Sequence, residues 1–191
     1  MEVHESKTLS QYSSMQKLLL VGEGDFSFSL SLAKAFASAT KITAASLDVR
    51  VGLGRQYNNG NANVKELERL GFTVVHGINV HTMSSDIACL DMTELKHKDV
   101  VRGFMESARQ MINEGGEIHF TCKTIYPFNM SDIKSLAGEN GMRLIQQMQF
   151  KKWIFPDYIK TGKMQSNTHK PTRNTFFPEP QEAKIEIFPE S

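Results

Sequence analysis

The chain has 191 residues, of which 40% are hydrophobic and 23% are charged, and its formal net charge is +1. This length suits one domain of ordinary size. The balanced charge excludes a protein that binds nucleic acid through a strong overall positive field, so any such contact must come from a local patch. The two cysteines, Cys89 and Cys122, form no closely spaced pair, which argues against a zinc site or a disulfide framework.

The N-terminal residues 1–15 are predicted to be a flexible segment. They are polar, include Glu2 and Glu5, and lack the apolar core of a secretory signal peptide. No apolar run elsewhere is long enough to span a membrane. We therefore expect an intracellular protein, cytosolic or nuclear, without a membrane partner.

The first predicted strand, Leu18 to Val21, is apolar throughout and is expected to be buried on both faces. A glycine-containing loop follows it, and residues from Phe28 to Phe36 have the spacing of a helix. α/β proteins often hold a cofactor at such a loop, because glycines let backbone amides approach the ligand and the helix N-terminus attracts anionic groups.

The loop composition favours one class of cofactor. A dinucleotide-binding loop needs a third glycine, and Ser27 stands at that position after Gly22 and Gly24. Glu23 and Asp25 would repel a pyrophosphate, whereas S-adenosylmethionine brings a sulfonium and an ammonium group. The loop therefore favours S-adenosylmethionine over a nucleotide-dependent oxidoreductase, with a plain structural turn as the alternative.

Two strand ends complete the predicted cofactor site. The strand over 41–48 ends in Asp48, 24 residues beyond Gly24, near the spacing at which a carboxylate binds the ribose hydroxyls; a solvated acid is the alternative. After a helix over 58–70 and a strand over 72–77, Asn79 is expected to contact the adenine. The predicted cofactor-binding residues are Gly22, Glu23, Gly24, Asp25, Phe26, Ser27, Asp48 and Asn79.

The stretch from Met83 to Leu95 is polar where a fourth parallel strand is expected. Only the fragment Ile87 to Leu90 is apolar, so the fourth strand is predicted to be weak or missing. His76 and His81 lack metal-ligand spacing, and we expect no metal site. Four further elements are predicted: a helix over 97–113, a strand over 117–123, a helix over 132–139 capped by Ser131, and a strand over 142–152. An irregular tail is predicted over 161–191.

Four separated segments, in order, resemble one family: Val21 to Ser29, His76 to Met83, Gly116 to Asn129 and Phe150 to Trp153. They are similar to the domain of eukaryotic 25S rRNA uridine-N3 methyltransferases and their plant relatives. The resemblance implies an α/β, Rossmann-like methyltransferase fold with a mostly parallel sheet over residues 16–160. It also implies S-adenosylmethionine as the methyl donor, large-subunit rRNA as the partner and a place in the nucleolus, nucleus or cytoplasm.

The sequence departs from the family pattern at two places. The family usually has an acid where this chain has Asn79. Members also carry a strand that ends in an Asn-Phe-Pro-His motif, and this chain runs from Met83 to Lys96 without it. The resemblance thereby implies the loss of the fourth strand and of the catalytic loop at its tip. A non-enzymatic remnant that binds S-adenosylmethionine or RNA is the alternative.

Methylation at uracil N3 needs a base that removes the ring proton. The catalytic candidates are Lys123, Tyr126 and Asn129, which lie at and after the C-terminal end of a predicted strand. The aromatic run at Tyr126 suits either base stacking or a rigid turn. A basic C-terminal third suits RNA phosphates or is a solvated charged face: it comprises Lys151, Lys152, Lys160, Lys163, Lys170 and Arg173. The oligomeric state is not predicted.

Overall fold

The computed structural model describes residues 6–37, 42–83, 97–112, 117–123, 130–158 and 182–189. The described chain forms two compact units. Within the described ranges, one unit contains residues 6–79 and 151–158. The other contains residues 80–83, 97–150 and 182–189. The segment from 84 to 96, where the fourth strand is predicted to be weak or missing, lies outside the described residues.

The first unit contains a parallel sheet of three strands. A short antiparallel hairpin, β1 (Thr8–Leu9) and β2 (Tyr12–Ser13), precedes it. The sheet has the order β3-β4-β5, with β3 at Leu18–Val21, β4 at Ile42–Ser46 and β5 at Thr73–His76. Because all three strands run in the same direction, their C-terminal ends meet at one edge of the sheet.

Three helices connect these strands: α1 (Ser27–Phe36), α2 (Arg50–Gln56) and α3 (Gly60–Arg69). Their inward faces are apolar, and Leu53, Leu67 and Val64 are at most 1% exposed. Gly60 permits close packing of α2 on α3, because a Cβ atom there would lie 2.8 Å from Cγ of Leu53. The strand, helix and strand order is the α/β arrangement that the sequence predicts.

The prediction that β3 is buried on both faces is wrong. Leu19 is 41% exposed, and β4 is the strand that pairs with β3 within the described part of the chain. β3 therefore lies at an edge of the described sheet, where fewer neighbours cover its side chains.

The second unit combines two helices with an antiparallel sheet. Its elements are α4 (His97–Met111), β6 (Ile118–Lys123), α5 (Met130–Glu139), β7 (Met142–Gln149) and β8 (Glu182–Pro189). The strand order is β6-β8-β7, with both pairings antiparallel. A small core joins these elements, formed by Met105, Ile118, Ile133, Leu136, Ala137 and Met142.

Several boundaries differ from the sequence expectations. Ser131 lies inside α5, which begins one residue earlier, so it does not precede the helix as a cap. β7 ends at Gln149, and a short 3-10 helix occupies Lys152–Ile154. The hairpin β1–β2 falls in the segment expected to be flexible, and β8 falls in the tail expected to be irregular. β8 arises from pairing with β6 and β7, distant strands that a local pattern does not report, whereas the two strands of the hairpin pair with each other across a short turn.

None of the helices in the described ranges is long and apolar enough to cross a membrane.

Candidate cofactor site

The loop between β3 and α1 begins with a glycine in a left-handed conformation. Gly22 has φ +82, a region that side-chain-bearing residues rarely adopt. The backbone N–H of Glu23 then donates to the carbonyl oxygen of Ala45 at 3.1 Å, which ties the loop to the end of β4. The loop is thus fixed at the edge where the parallel strands end.

Carboxylates of the loop already bind the N-terminus of α1. Oδ1 of Asp25 accepts hydrogen bonds from the backbone N–H of Ser27 at 3.0 Å and from the Ser27 hydroxyl at 2.6 Å. Oε2 of Glu23 accepts from the backbone N–H of Ser29 at 3.3 Å. These N–H groups are the donors that a phosphate would otherwise use. The site therefore suits a ligand with a cationic group better than one with a pyrophosphate, because two carboxylates lie beside it.

Phe26, the residue before the position of the missing third glycine, takes a left-handed backbone conformation. Its φ is 63, its side chain is fully buried, and its ring meets the His76 ring edge-on at 5.4 Å between centroids. A left-handed conformation costs a side-chain-bearing residue about 1–2 kcal/mol, which this packing offsets. Phe26 and Ser27 are both buried, so we expect Phe26 to contribute to binding through its backbone, while Ser27 holds the Asp25 carboxylate through two hydrogen bonds.

Burial raises the pKa of Glu23 from 4.5 to about 7. Hydrogen bonds from Ser29 favour the ionised form and oppose this effect, while the negative charge of Asp25 adds to it. Near neutral pH the protonation of Glu23 is therefore balanced, and a nearby cation would favour the ionised form.

Two residues at the end of α2 hold the carboxylate of Asp48. Nε2 of Gln56 donates to Oδ1 at 2.9 Å, and the Tyr57 hydroxyl donates to Oδ2 at 3.0 Å. Burial, together with the bond to Asp48, raises the pKa of Tyr57 to about 12, so the phenol keeps its proton. An ionised carboxylate accepts about four hydrogen bonds, so each oxygen can still accept one from a ligand hydroxyl.

The sequence pattern did not reveal Gln56 and Tyr57 as partners of Asp48. Their signal was a polar pair eight and nine residues after Asp48, at the end of a short segment with two glycines. Such a segment does not predict a helix by its composition, because glycine is a poor helix former.

The end of β5 joins the same edge of the sheet. The backbone N–H of Ile78 donates to the carbonyl oxygen of Ser46 at 2.9 Å, and Nδ1 of His76 lies 3.3 Å from the carbonyl oxygen of Asp48. Asn79 directly follows Ile78. The structure thus brings all eight predicted cofactor residues to the edge formed by the ends of β3, β4 and β5.

The catalytic candidates are only partly described. Lys123 is the last residue of β6, while Tyr126 and Asn129 lie outside the described residues. Of the predicted basic residues, Lys151 and Lys152 are exposed, and the other four lie outside the described ranges. Within the described part of the chain, no group of three or more His, Cys, Asp or Glu side chains could hold a metal ion.

Asn63 of α3 supports the loop, because its Nδ2 donates to the backbone oxygen of Asp25 at 2.8 Å. We expect Asn63→Ala to lower the free energy of unfolding by about 1 kcal/mol relative to Asn61→Ala. Asn61 is an exposed residue of the same helix, so its replacement matches the change of residue type without touching the bond to Asp25. Urea unfolding measures the difference, and equal stability of the two variants would show that the bond to the loop contributes nothing.

Comparison with known proteins identifies one family. The model of the BMT5-like family, described as rRNA (uridine-N3-)-methyltransferase BTM5-like, matches residues 19–94 and 89–162. An uncharacterized protein of Arabidopsis thaliana is 40% identical over 183 residues, which cover 83% of this chain and 87% of that protein. Heavy metal-associated isoprenylated plant protein 41 of Arabidopsis thaliana is 33% identical over 180 residues. That match covers 81% of this chain, which spans only 34% of that protein's length.

The solved structures agree on the fold. A TehB-like SAM-dependent methyltransferase from Corynebacterium glutamicum has a TM-score of 0.50 at 12% identity, covering 91% of this chain and 79% of that one. A 30S ribosomal A1408 methyltransferase from an uncultured bacterium has a TM-score of 0.53 at 10% identity, covering 90% and 86%. The predicted Rossmann-like methyltransferase fold is confirmed.

Proposed function

The chain belongs to the BMT5-like family of rRNA (uridine-N3-)-methyltransferases, and on that premise we propose that it methylates N3 of a uridine in large-subunit rRNA. The proposed methyl donor is S-adenosylmethionine, bound at the ends of β3, β4 and β5. The observation that carries this proposal is the loop between β3 and α1, where Glu23 and Asp25 bind the N-terminus of α1.

Each part of the site has a proposed role. The carboxylates of Glu23 and Asp25 give the loop a negative field that complements the cationic amino acid end of the ligand. Asp48, held by Gln56 and Tyr57, accepts hydrogen bonds from the ribose hydroxyls. Asn79 is proposed to recognise the adenine through its amide. These residues fit S-adenosylmethionine by charge and by hydrogen-bonding type.

The bound cofactor supplies an electrophilic methyl group, and the uracil N3 proton must pass to a base. The proposed catalytic residues are Lys123, Tyr126 and Asn129, which the sequence places at and after the end of β6. N3 lies on the Watson–Crick edge, so the target uridine must be unpaired or flipped out of its helix. A nucleolar, nuclear or cytoplasmic location follows from this choice of substrate.

A second candidate is a relative of this family that binds S-adenosylmethionine or RNA without transferring the methyl group. The sequence between Met83 and Lys96 favours it, because no Asn-Phe-Pro-His motif occurs there. In the family that this chain resembles, that motif ends the fourth strand and faces the methyl group.

Labelled S-adenosylmethionine separates the two candidates. The protein is incubated with large-subunit rRNA that lacks the modification, and the RNA is digested to nucleosides. We expect label in 3-methyluridine. If the protein instead binds the cofactor without transferring the methyl group, and transfer appears once the missing strand and motif are inserted, the second candidate is supported.

A further inference from the structure

One large aromatic side chain of the first unit faces solvent. Trp153 is 71% exposed, and it lies in the 3-10 helix Lys152–Ile154. The lysines that precede it, Lys151 and Lys152, are also exposed. Exposed apolar side chains are common on proteins, but a tryptophan beside two cations is typical of surfaces that bind nucleic acid by stacking.

The segment that carries Trp153 is anchored to α1. Phe155 is 3% exposed, and its ring centroid lies 4.8 Å from that of Phe28. The backbone N–H of Asp157 donates to the Ser31 hydroxyl at 3.0 Å, and the Asp157 carboxylate pairs with Lys34. Trp153 therefore lies on a fixed turn. This lowers the entropy cost of binding, because the segment is already ordered before a ligand arrives.

We propose that Lys151, Lys152 and Trp153 form a contact site for single-stranded RNA. The indole ring stacks on an unpaired base, and the two ammonium groups bind neighbouring phosphates. Every base offers a flat face, so this site contributes affinity and placement of the RNA with little choice of sequence. The choice of RNA as the partner rests on the proposed function, whereas the exposure, the charges and the anchoring come from the structure.

Since Trp153 is the single tryptophan of the chain, its fluorescence reports on this site alone. We expect saturable quenching on titration with a short uridine-rich single strand, and much weaker quenching with a duplex of the same sequence. An absent response to the single strand would overturn the proposal. A blue shift with anionic lipid vesicles and no response to RNA would also overturn it and indicate a membrane surface.

Variants separate stacking from charge. With fluorescently labelled RNA, Trp153→Ala should weaken binding about tenfold, while Trp153→Phe keeps most of the affinity. Changing Lys151 and Lys152 together to alanine should reduce the slope of log affinity against log salt by about 1.4, since each phosphate contact contributes ~0.7 for single strands. Met15→Ala, which removes another exposed apolar side chain, serves as the control. Affinity and salt slope that match the control would contradict the proposal.

The same samples distinguish failure of this site from failure of the proposed function. If wild-type protein transfers methyl groups to rRNA and Trp153→Ala binds RNA normally, the contact site alone is wrong. If the wild-type protein transfers no methyl group but Trp153→Ala weakens RNA binding, the contact site stands and the proposed reaction fails.

Discussion

Replacing Asp48 by alanine is expected to weaken the binding of S-adenosylmethionine by about 100-fold or more. The carboxylate is proposed to accept two ribose hydroxyls, and hydrogen bonds to a charged acceptor contribute about 1.5–3 kcal/mol each. Gln56 and Tyr57 already fix its position, so the ligand gains these bonds without first ordering the side chain. The loss of the two hydrogen bonds to the ribose should therefore appear mainly as weaker binding of the cofactor.

Isothermal titration calorimetry measures this effect. Asp48→Asn keeps the shape and removes the charge, so it should lose somewhat less affinity than Asp48→Ala. Glu106→Gln removes an exposed carboxylate from α4 in the other unit and should bind like the wild type. An unchanged dissociation constant for a folded Asp48→Ala would remove Asp48 from the site.

Glu23→Gln is expected to raise stability and lower cofactor affinity at the same time. Burial raises the pKa of the Glu23 carboxyl from 4.5 to about 7. Between these values the folded protein keeps a proton that the unfolded chain has lost, so the free energy of unfolding falls as pH rises through this window. Above it, the ionised carboxylate costs about 2–3 kcal/mol of stability. Glutamine stays neutral and avoids this cost.

Denaturation at several pH values tests the first effect. At pH 8 the variant should be more stable than the wild type by about 2–3 kcal/mol, and at pH 4 the two should agree. S-adenosylmethionine should bind the variant more weakly at pH 8, because the negative charge that complements its cationic end is gone. Glu106→Gln is again the control. Parallel stability curves for Glu23→Gln and wild type would show that burial of this carboxyl has no energetic consequence.

The sequence predicted the first unit well, because its signals are local. An apolar run before Gly22, an acid after the next strand and a helix closed by Gly71 each follow from short-range chemistry. Parallel pairing then brings Asp48 and the loop to one edge without further information. The fold was thus accessible before the structure, whereas the assignment of these residues to a cofactor site stays a prediction.

The remaining features depend on contacts between distant residues. β8 alternates polar and apolar residues from Glu182 to Ile187, but its meaning is visible only when it pairs with both β6 and β7. α2 contains Gly52 and Gly54, so its composition argues against a helix that tertiary packing nevertheless stabilises. The exposure of Leu19 follows from the position of β3 at an edge of the described sheet, which no pattern within four residues can report.

Titration of the wild-type protein with S-adenosylmethionine and, separately, with NAD tests the central claim most directly. The loop carboxylates that bind the N-terminus of α1 favour a cationic ligand and repel a pyrophosphate. Calorimetry should therefore show saturable heat for one equivalent of S-adenosylmethionine and none for NAD. Heat with NAD alone would contradict the assignment of this loop to the methyl donor.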